Sequence, residues 1–197
     1  MKIYRINRAP AIKFCELELN IENEWSNEDL ELNSYKLEHT LPIEYFTNNK
    51  NNPYDFPLAE GYVVSNKFYK IIVKINKNFK AFESKIYYNG KNKKQYLEKN
   101  KSLEIWDNYF TIIFPEYELL NYEKADFETC TSFVTGKEFV SHIEKLVLDK
   151  EKLQKISSNH FFILKEKKVY LLCTETAKQA IEEAGLTGIA FEEVPVE

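Results

Sequence analysis

The sequence predicts an α+β fold: mostly antiparallel sheets with a few short amphipathic helices, in a single compact domain of 197 residues. Three observations lead to this prediction. Aromatic residues make up 15% of the chain, and aromatic rings pack well on pleated sheets. Several short segments alternate apolar and polar residues, as strands do. Two further segments space apolar residues three and four positions apart behind a Ser or Thr that can cap a helix.

The first third of the chain predicts strands at its start and loops after them. Residues 2–6 and 12–19 have the apolar patterning of short strands. Residues 20–57 are polar, rich in Asn and interrupted by three prolines. We therefore interpret 20–57 as loops, with one short helix or strand around 33–37.

The clearest helix follows a short apolar strand at residues 62–64. Ser65 is placed to cap it, because its hydroxyl can accept a bond from a free helical N–H. The apolar residues after it recur at i, i+3, i+4 and i+7, which predicts about three helical turns with one buried stripe; they are Phe68, Ile71, Ile72 and Ile75.

The middle of the chain predicts two long strands, at residues 79–88 and 103–114, with a turn signal at Asn89-Gly90. Residues 116–128 fit either a helix or irregular structure. The C-terminal third predicts these elements in order: a strand at 143–148, a helix from Asp149 to Leu153, a hairpin of 161–164 and 169–173, a helix from the cap Thr174 to Ala184, and a strand at 188–194.

The domain prediction for residues 1–197 follows from the lack of internal repeats and of any Ser/Gly linker. A loose N-terminal lobe packed on a C-terminal lobe is the alternative. The three cysteines form no C-x-x-C pair, which favours a reducing compartment. With no readable secretory signal and no apolar run long enough to span a bilayer, we expect a cytoplasmic protein without membrane contact.

Catalytic motifs are missing from the sequence. The chain has five glycines and no P-loop, G-x-G-x-x-G, G-x-S-x-G or H-E-x-x-H pattern. His39, His142 and His160 are isolated, and a pairing of Cys130 with His142 has no support in the neighbouring residues. We therefore expect no catalytic residues, no metal and no cofactor. An unrecognised enzyme would need these residues to converge with carboxylates in one pocket.

An acidic run surrounds Trp25. From Glu16 to Glu31 there are seven carboxylates and no basic residue. An exposed ring collared by carboxylates could anchor and steer a basic protein partner. A solvated loop with Trp25 folded inward is the commoner outcome for such a run. The candidate partner-binding residues are Glu22, Glu24, Trp25, Glu28 and Asp29.

A lysine-rich region begins within the helix after Ser65 and carries the alternative function. Residues 67–101 contain eleven lysines against two glutamates, with Tyr87, Tyr88 and Tyr96 interleaved. Such a surface could face phosphates and stack on bases. The net charge of −4 and the presence of only two arginines, Arg5 and Arg8, count against nucleic acid. We favour lysines that point to solvent from a helix and hairpin, with half-buried tyrosines, because the apolar stripe of the helix is already used in a core.

Three segments together resemble a known family. They are residues 53–72, including P-Y-D-F and G-Y-V-V-S; residues 109–127; and residues 161–191, whose most specific part is G-L-T-G-I-A-F. The pattern is similar to an immunity-protein family of bacterial polymorphic toxin systems, first described through a myxobacterial member and long known as a domain of unknown function. The resemblance covers about 53–194 and leaves 1–52 outside it. Members often carry Arg where this chain has Phe162.

The resemblance implies a protein that is not an enzyme, is encoded beside a toxin and protects the producing cell by binding that toxin. The motif residues have the chemistry of structural positions: glycines for tight backbone, a cap and a core ring. They are Asp55, Gly61, Ser65, Gly185, Thr187, Gly188 and Phe191. The toxin-binding surface is expected to vary between members.

Overall fold

The computed structural model describes residues 1–9, 16–19, 42–50, 54–59, 61–90, 99–156 and 158–197. The strands are β1 (Ile3–Arg8), β2 (Glu16–Leu19), β3 (Ile43–Thr47), β4 (Leu58–Ala59), β5 (Tyr62–Ser65), β6 (Lys80–Tyr88), β7 (Glu104–Ile113), β8 (Glu116–Tyr117), β9 (Asp126–Thr131), β10 (Glu138–Lys145), β11 (Phe161–Leu164), β12 (Leu171–Thr174) and β13 (Ile189–Val194). The helices are α1 (Asn66–Ile75), α2 (Lys150–Gln154) and α3 (Glu175–Glu183), and short 3₁₀ turns span Lys99–Lys101 and Lys165–Lys167.

The strands form two large sheets and one separate pair. The five-stranded sheet has the order β13-β1-β12-β11-β8, and the six-stranded sheet has the order β4-β2-β3-β6-β7-β5. β9 and β10 pair with each other. Pairing is antiparallel except at β8–β11, β2–β4 and β3–β6. The predicted α+β class with mostly antiparallel sheets is confirmed.

One core joins the two large sheets. It contains Phe161 and Cys173 from the five-stranded sheet, Val64 and Phe114 from the other side, and the apolar faces of α1 and α3. The opposite face of the five-stranded sheet builds a second core, in which Phe162 is fully buried and lies edge-on to the ring of Tyr117. Both faces of the five-stranded sheet are covered, so its strands β11 and β12 are buried along their whole length.

The helix caps form as the sequence predicts. The Ser65 hydroxyl accepts from the Phe68 N–H at 3.2 Å, and Phe68 and Ile72 are the buried residues of α1. The Asp149 carboxylate caps α2, and the Thr174 hydroxyl accepts from the Ala177 N–H at the start of α3. These helices therefore begin where a side-chain oxygen satisfies a free backbone donor.

Strand β3 corrects the prediction of loops over 20–57. All five of its residues are buried, because it lies inside the six-stranded sheet with both faces covered. Glu44 places a charged residue inside the apolar run, so the sequence pattern did not indicate a buried strand. Its carboxylate is only 6% exposed, accepts from the Tyr87 hydroxyl at 3.1 Å and lies 2.6 Å from the Lys99 ammonium.

One further strand differs in its boundaries from the prediction, and the structure assigns the segment that the sequence left ambiguous. The strand expected at 143–148 instead runs over 138–145, and its last predicted residues form a loop in which Leu148 makes isolated bridges. Leu148 is buried in the second core although it lies outside any strand. Apolar residues that serve the core therefore continued the strand-like sequence pattern past the end of β10. The ambiguous segment 116–128 contains β8, a turn and the start of β9.

Candidate protein-binding surface

The β9–β10 hairpin, residues 126–145, projects from the body of the protein, and we call it the arm. Its root is held by Phe127, Val140 and Ile143, which pack into the second core. Beyond the root, every residue from Glu128 to Thr131 is exposed. A two-stranded ribbon is only marginally stable by itself, so the packing at its base stabilises the arm. In the described structure, the outer part of the arm does not pack on the body.

The two strands of the arm differ in regularity. Val140 pairs with Thr129 and His142 with Glu128, so Ser141 is an extra residue; a second shift occurs between Ile143 and Lys145. β9 has no extra residue over its length. The irregularities are therefore confined to β10, whose bulged Ser141 carbonyl accepts from the Lys167 ammonium at 2.6 Å.

The tip of the arm is a turn stabilised by its own backbone and hydroxyl groups. The Ser132 N–H donates to the Lys137 carbonyl at 2.9 Å, and the Gly136 N–H donates to the Ser132 carbonyl at 2.8 Å. The Ser132 hydroxyl accepts from the Thr135 N–H at 3.2 Å. Gly136 has a φ of +66°, which a residue with a Cβ adopts only with strain. These contacts fix the turn without any help from the body.

This ordered turn displays apolar side chains to solvent. Phe133 is 107% exposed and Val134 is 94% exposed, and Phe139 is half-exposed beside them on β10. Fully burying a side chain of this size stabilises a complex by about 1.5–3 kcal/mol. Adjacent exposed apolar residues on a pre-formed turn are typical of protein-binding sites.

A cleft of about 330 Å³ lies between the arm and the body. Val140 and the rings of Tyr122 and Phe139 supply its apolar lining, and both rings are about half-exposed. On its wall, the Lys165 ammonium lies 2.6 Å from the Glu118 carboxylate. The hydrogen bond and charge of Lys165 lower the pKa of Glu118, and Glu118 raises the pKa of Lys165 in return. The cleft thus combines two rings with a charged wall.

No protein-family model matches the chain, and no curated protein matches it significantly.

Four of the motif residues meet at one place, which we call the junction: Asp55, Ser65, Thr187 and Gly188. The Asp55 carboxylate accepts from the Ser65 hydroxyl at 2.5 Å and from the Thr187 N–H and hydroxyl at 2.8 and 3.0 Å. The Asp55 carbonyl also accepts from the Ser65 N–H at 2.9 Å. One carboxylate therefore ties the start of α1 to the loop between α3 and β13.

Gly188 brings the backbone of that loop against Tyr54. Its φ is +80°, and a Cβ built on it would lie 2.6 Å from the Tyr54 Cβ and 3.2 Å from the Phe56 carbonyl oxygen. A side chain is therefore excluded here on two counts, conformation and space. The motif residues of the junction hold the fold together at this place.

The other motif residues lie near the junction or pack on the first core. The ring of Phe191 packs on this core, edge-on to Tyr4. Gly61 and Gly185 both have positive φ, and Gly185 follows the end of α3 as predicted.

The guanidinium of Arg8 donates to the carbonyls of Pro57 and Ala59 at 3.0 and 3.2 Å, and burial lowers its pKa.

The acidic candidate residues Glu22, Glu24, Trp25, Glu28 and Asp29 lie outside the described residues. Their role in partner binding stays a prediction.

The histidines and cysteines of the described region do not converge. His142 contacts Glu144 on the exposed side of the arm, and the register places Cys130 opposite Phe139 instead. His160 Nδ1 bonds the Thr174 hydroxyl at 2.8 Å. Cys173 is buried, which raises the pKa of its thiol. Across the described ranges, no three His, Cys, Asp or Glu residues are grouped closely enough to hold a metal.

No helix in the described part of the chain is both long and apolar enough to cross a membrane.

Sequence reasoning missed the tip of the arm. The signal was present: residues 132–137, S-F-V-T-G-K, have Ser, Thr and Gly as turn formers, with two apolar residues between them. Turn residues are usually polar, so two adjacent apolar residues inside a turn are the exception that distinguishes this segment in the sequence.

Proposed function

We propose that this protein is a non-enzymatic immunity protein that binds and neutralises a protein toxin, and that the arm is a principal contact. The observation that carries the proposal is the pair Phe133 and Val134, fully exposed on a turn that needs no partner to hold its shape. The sequence resemblance to immunity proteins supplies the class of partner.

The geometry of the tip favours a partner with a recess. A projecting Phe can enter a pocket, and the adjacent Val can seal the pocket rim against water. Because the turn is already fixed by four internal hydrogen bonds, little conformational entropy is lost when it docks. An inhibitor that inserts a pre-formed turn into a cleft of the toxin would block access to that cleft.

The test is co-expression of this protein with the product of the neighbouring gene, followed by co-purification and calorimetry. We expect a stable complex and loss of the product's toxicity in cells that express this protein. Absence of any interaction with that product, with both proteins folded, would refute the proposal.

Matched variants locate the contact. Val134→Ala is expected to weaken toxin binding by about 1 kcal/mol or more, as truncation of an interface anchor does. Val73 is a second exposed valine, 50% accessible, and it lies on α1, away from the arm. Val73→Ala is the control, and we expect it to leave the affinity unchanged.

The acidic run makes a separate prediction for the same partner. If Trp25 and its carboxylate neighbours form part of the surface, Trp25→Ala should weaken binding by more than about 1 kcal/mol. An unchanged affinity in calorimetry would remove Trp25 from the interface and leave the arm as the proposed site.

A nucleic-acid role is the second candidate, and α1 is the observation that favours it. Lys67, Lys70 and Lys74 are all exposed on this helix, which contains no acidic residue. Such a role predicts binding of generic DNA or RNA that weakens steeply as salt rises. A flat titration with double-stranded DNA and single-stranded RNA at low salt would exclude it.

A further inference from the structure

The backbone direction in β9 determines which of its polar groups face outward. The Ser132 N–H and carbonyl both bond within the hairpin, and the Ser141 hydroxyl donates to the Glu128 carbonyl at 3.2 Å. Residues alternate in direction along a strand, so Glu128 and Ser132 face β10. The N–H and carbonyl groups of Phe127, Thr129 and Thr131 therefore face the opposite, outer edge.

That outer edge is a regular strand edge without protection. Among the described residues, β9 pairs with β10 alone, and no hydrogen bond is made by the outward backbone groups of Phe127, Thr129 or Thr131. Proteins usually protect such an edge with bulges or lysines. In the arm, the bulges lie on β10, and the Lys167 ammonium bonds the Ser141 carbonyl of the same strand. Neither device therefore protects the outer edge of β9.

The side chains of β9 define what could lie beside it. Asp126 and Glu128 are exposed on the same face, and neither carboxylate has an ion-pair or hydrogen-bond partner in the described structure. On the other face, the ring of Phe127 lies edge-on to Tyr122, which is half-exposed. The first face is thus acidic at residues 126 and 128, and the second carries the ring of Phe127 followed by Thr129 and Thr131.

We propose that the outer edge of β9 binds an extended segment of the partner protein as an added strand, with basic residues alternating with apolar ones. Its backbone would pair with Phe127, Thr129 and Thr131. Its basic side chains would lie beside Asp126 and Glu128, and an apolar side chain would cover Tyr122 and Phe127. The inference rests on the proposed function in taking the occupant to be a protein.

A second copy of this chain fits the edge poorly. Two β9 strands side by side would bring Asp126 and Glu128 of each copy onto a shared face, and like charges in adjacent strands destabilise the pairing. A basic segment meets the same carboxylates with favourable charge.

The test separates backbone pairing from side-chain contact. Thr129→Pro removes an outward N–H, and a proline is tolerated at an edge because no bond to β10 is lost. Thr129→Ala is the matched control: it loses the same hydroxyl bond to Glu138 but keeps the N–H. Glu128→Lys changes the charge and leaves the backbone intact, so it tests the site even where the proline variant does not fold.

The probe is a short blocked peptide of alternating Lys and Val, titrated against the full chain by NMR. We expect the amide signals of Phe127, Thr129 and Thr131 to shift, with about ten-fold weaker binding for Thr129→Pro and Glu128→Lys and unchanged binding for Thr129→Ala. The same peptide with Glu in place of Lys should not bind. No binding of the Lys peptide, or equal binding by all variants, would overturn the inference.

The same variants distinguish this inference from the proposed function. Full affinity of both Thr129→Pro and Glu128→Lys for the toxin would refute strand addition and leave the immunity role standing. Peptide binding at β9 together with no binding of the neighbouring gene product would refute the immunity role and support the edge site. A dimer of this chain that Glu128→Lys strengthens would identify a second copy as the occupant and refute the proposal.

Discussion

The junction and the tip of the arm both contain a glycine at positive φ and a hydroxyl side chain that accepts from a backbone N–H. They differ in what surrounds them. At the junction, Gly188 contacts Tyr54 and Asp55 links residues far apart in sequence. At the tip, nothing lies within 4 Å of a Cβ built on Gly136, and Phe133 faces solvent.

The contrast indicates a division of roles. Residues of the junction are constrained by their neighbours, so changing them should alter the free energy of unfolding. The exposed apolar side chains of the tip are constrained by their own turn alone, so truncating them should alter binding and leave stability nearly intact.

The largest expected effect is on stability, from Gly188→Ala. The added Cβ meets Tyr54 at 2.6 Å and must also adopt a φ of +80°. Overpacking and left-handed strain each cost roughly 1–3 kcal/mol, so we expect a loss of about 3 kcal/mol in urea unfolding.

Gly136→Ala is the matched control for that substitution. It has the same strain, with a φ of +66°, but open space around the new Cβ. We expect a loss of about 1 kcal/mol. Equal losses for the two variants would show that steric contact at the junction is unimportant and would remove the contrast.

Asp55→Ala comes next. It leaves the Ser65 and Thr187 hydroxyls and the Thr187 N–H without their acceptor, and we expect about 2 kcal/mol less stability in thermal or urea unfolding. Ser65→Ala removes one of those bonds together with the helix cap and should cost about 1 kcal/mol. A loss for Asp55→Ala below that for Ser65→Ala would contradict the central place given to the carboxylate.

Phe133→Ala tests whether a tip side chain contributes to binding and not to stability. The free energy of unfolding should change by less than about 0.5 kcal/mol, because the ring packs on nothing. If the proposed toxin binds at the tip, its affinity, measured by calorimetry, should fall by about 2 kcal/mol, as truncation of an aromatic anchor does. A large loss of stability with unchanged affinity would reverse the assignment of the two regions.

The smallest effect is expected from Ser132→Ala. It removes the hydroxyl that accepts from the Thr135 N–H and so loosens the turn without removing an anchor. We expect toxin affinity to fall by about 0.5 kcal/mol, through the entropy of ordering the turn on binding. An effect larger than that of Phe133→Ala would mean that the turn backbone itself contacts the toxin.

Local signals accounted for much of the fold. The three capped helices were predictable because each cap and the apolar stripe behind it lie within a few residues of each other. β3 was not, because the burial of Glu44 depends on Lys99 and Tyr87, which are distant in sequence. The motif residues Asp55 and Thr187 could be identified by resemblance, but their contact spans 132 positions and has no local signature.

The candidate site was harder to predict for a related reason. A surface for a partner is defined by what the fold leaves uncovered, and Phe133 has the same letter whether it is buried or exposed. The acidic residues between 22 and 29 form a charge run that is visible in the sequence, whereas the projection of the arm depends on the packing of Phe127, Val140 and Ile143 beneath it.

The bulges in β10 also affect how the arm can assemble. A strand that docks on β9 extends the ribbon in one direction, while the irregular backbone at Ser141, held by Lys167, gives no template for growth in the other. The β10 side of the arm should therefore not template further strands, and any growth of the ribbon is limited to the side of β9.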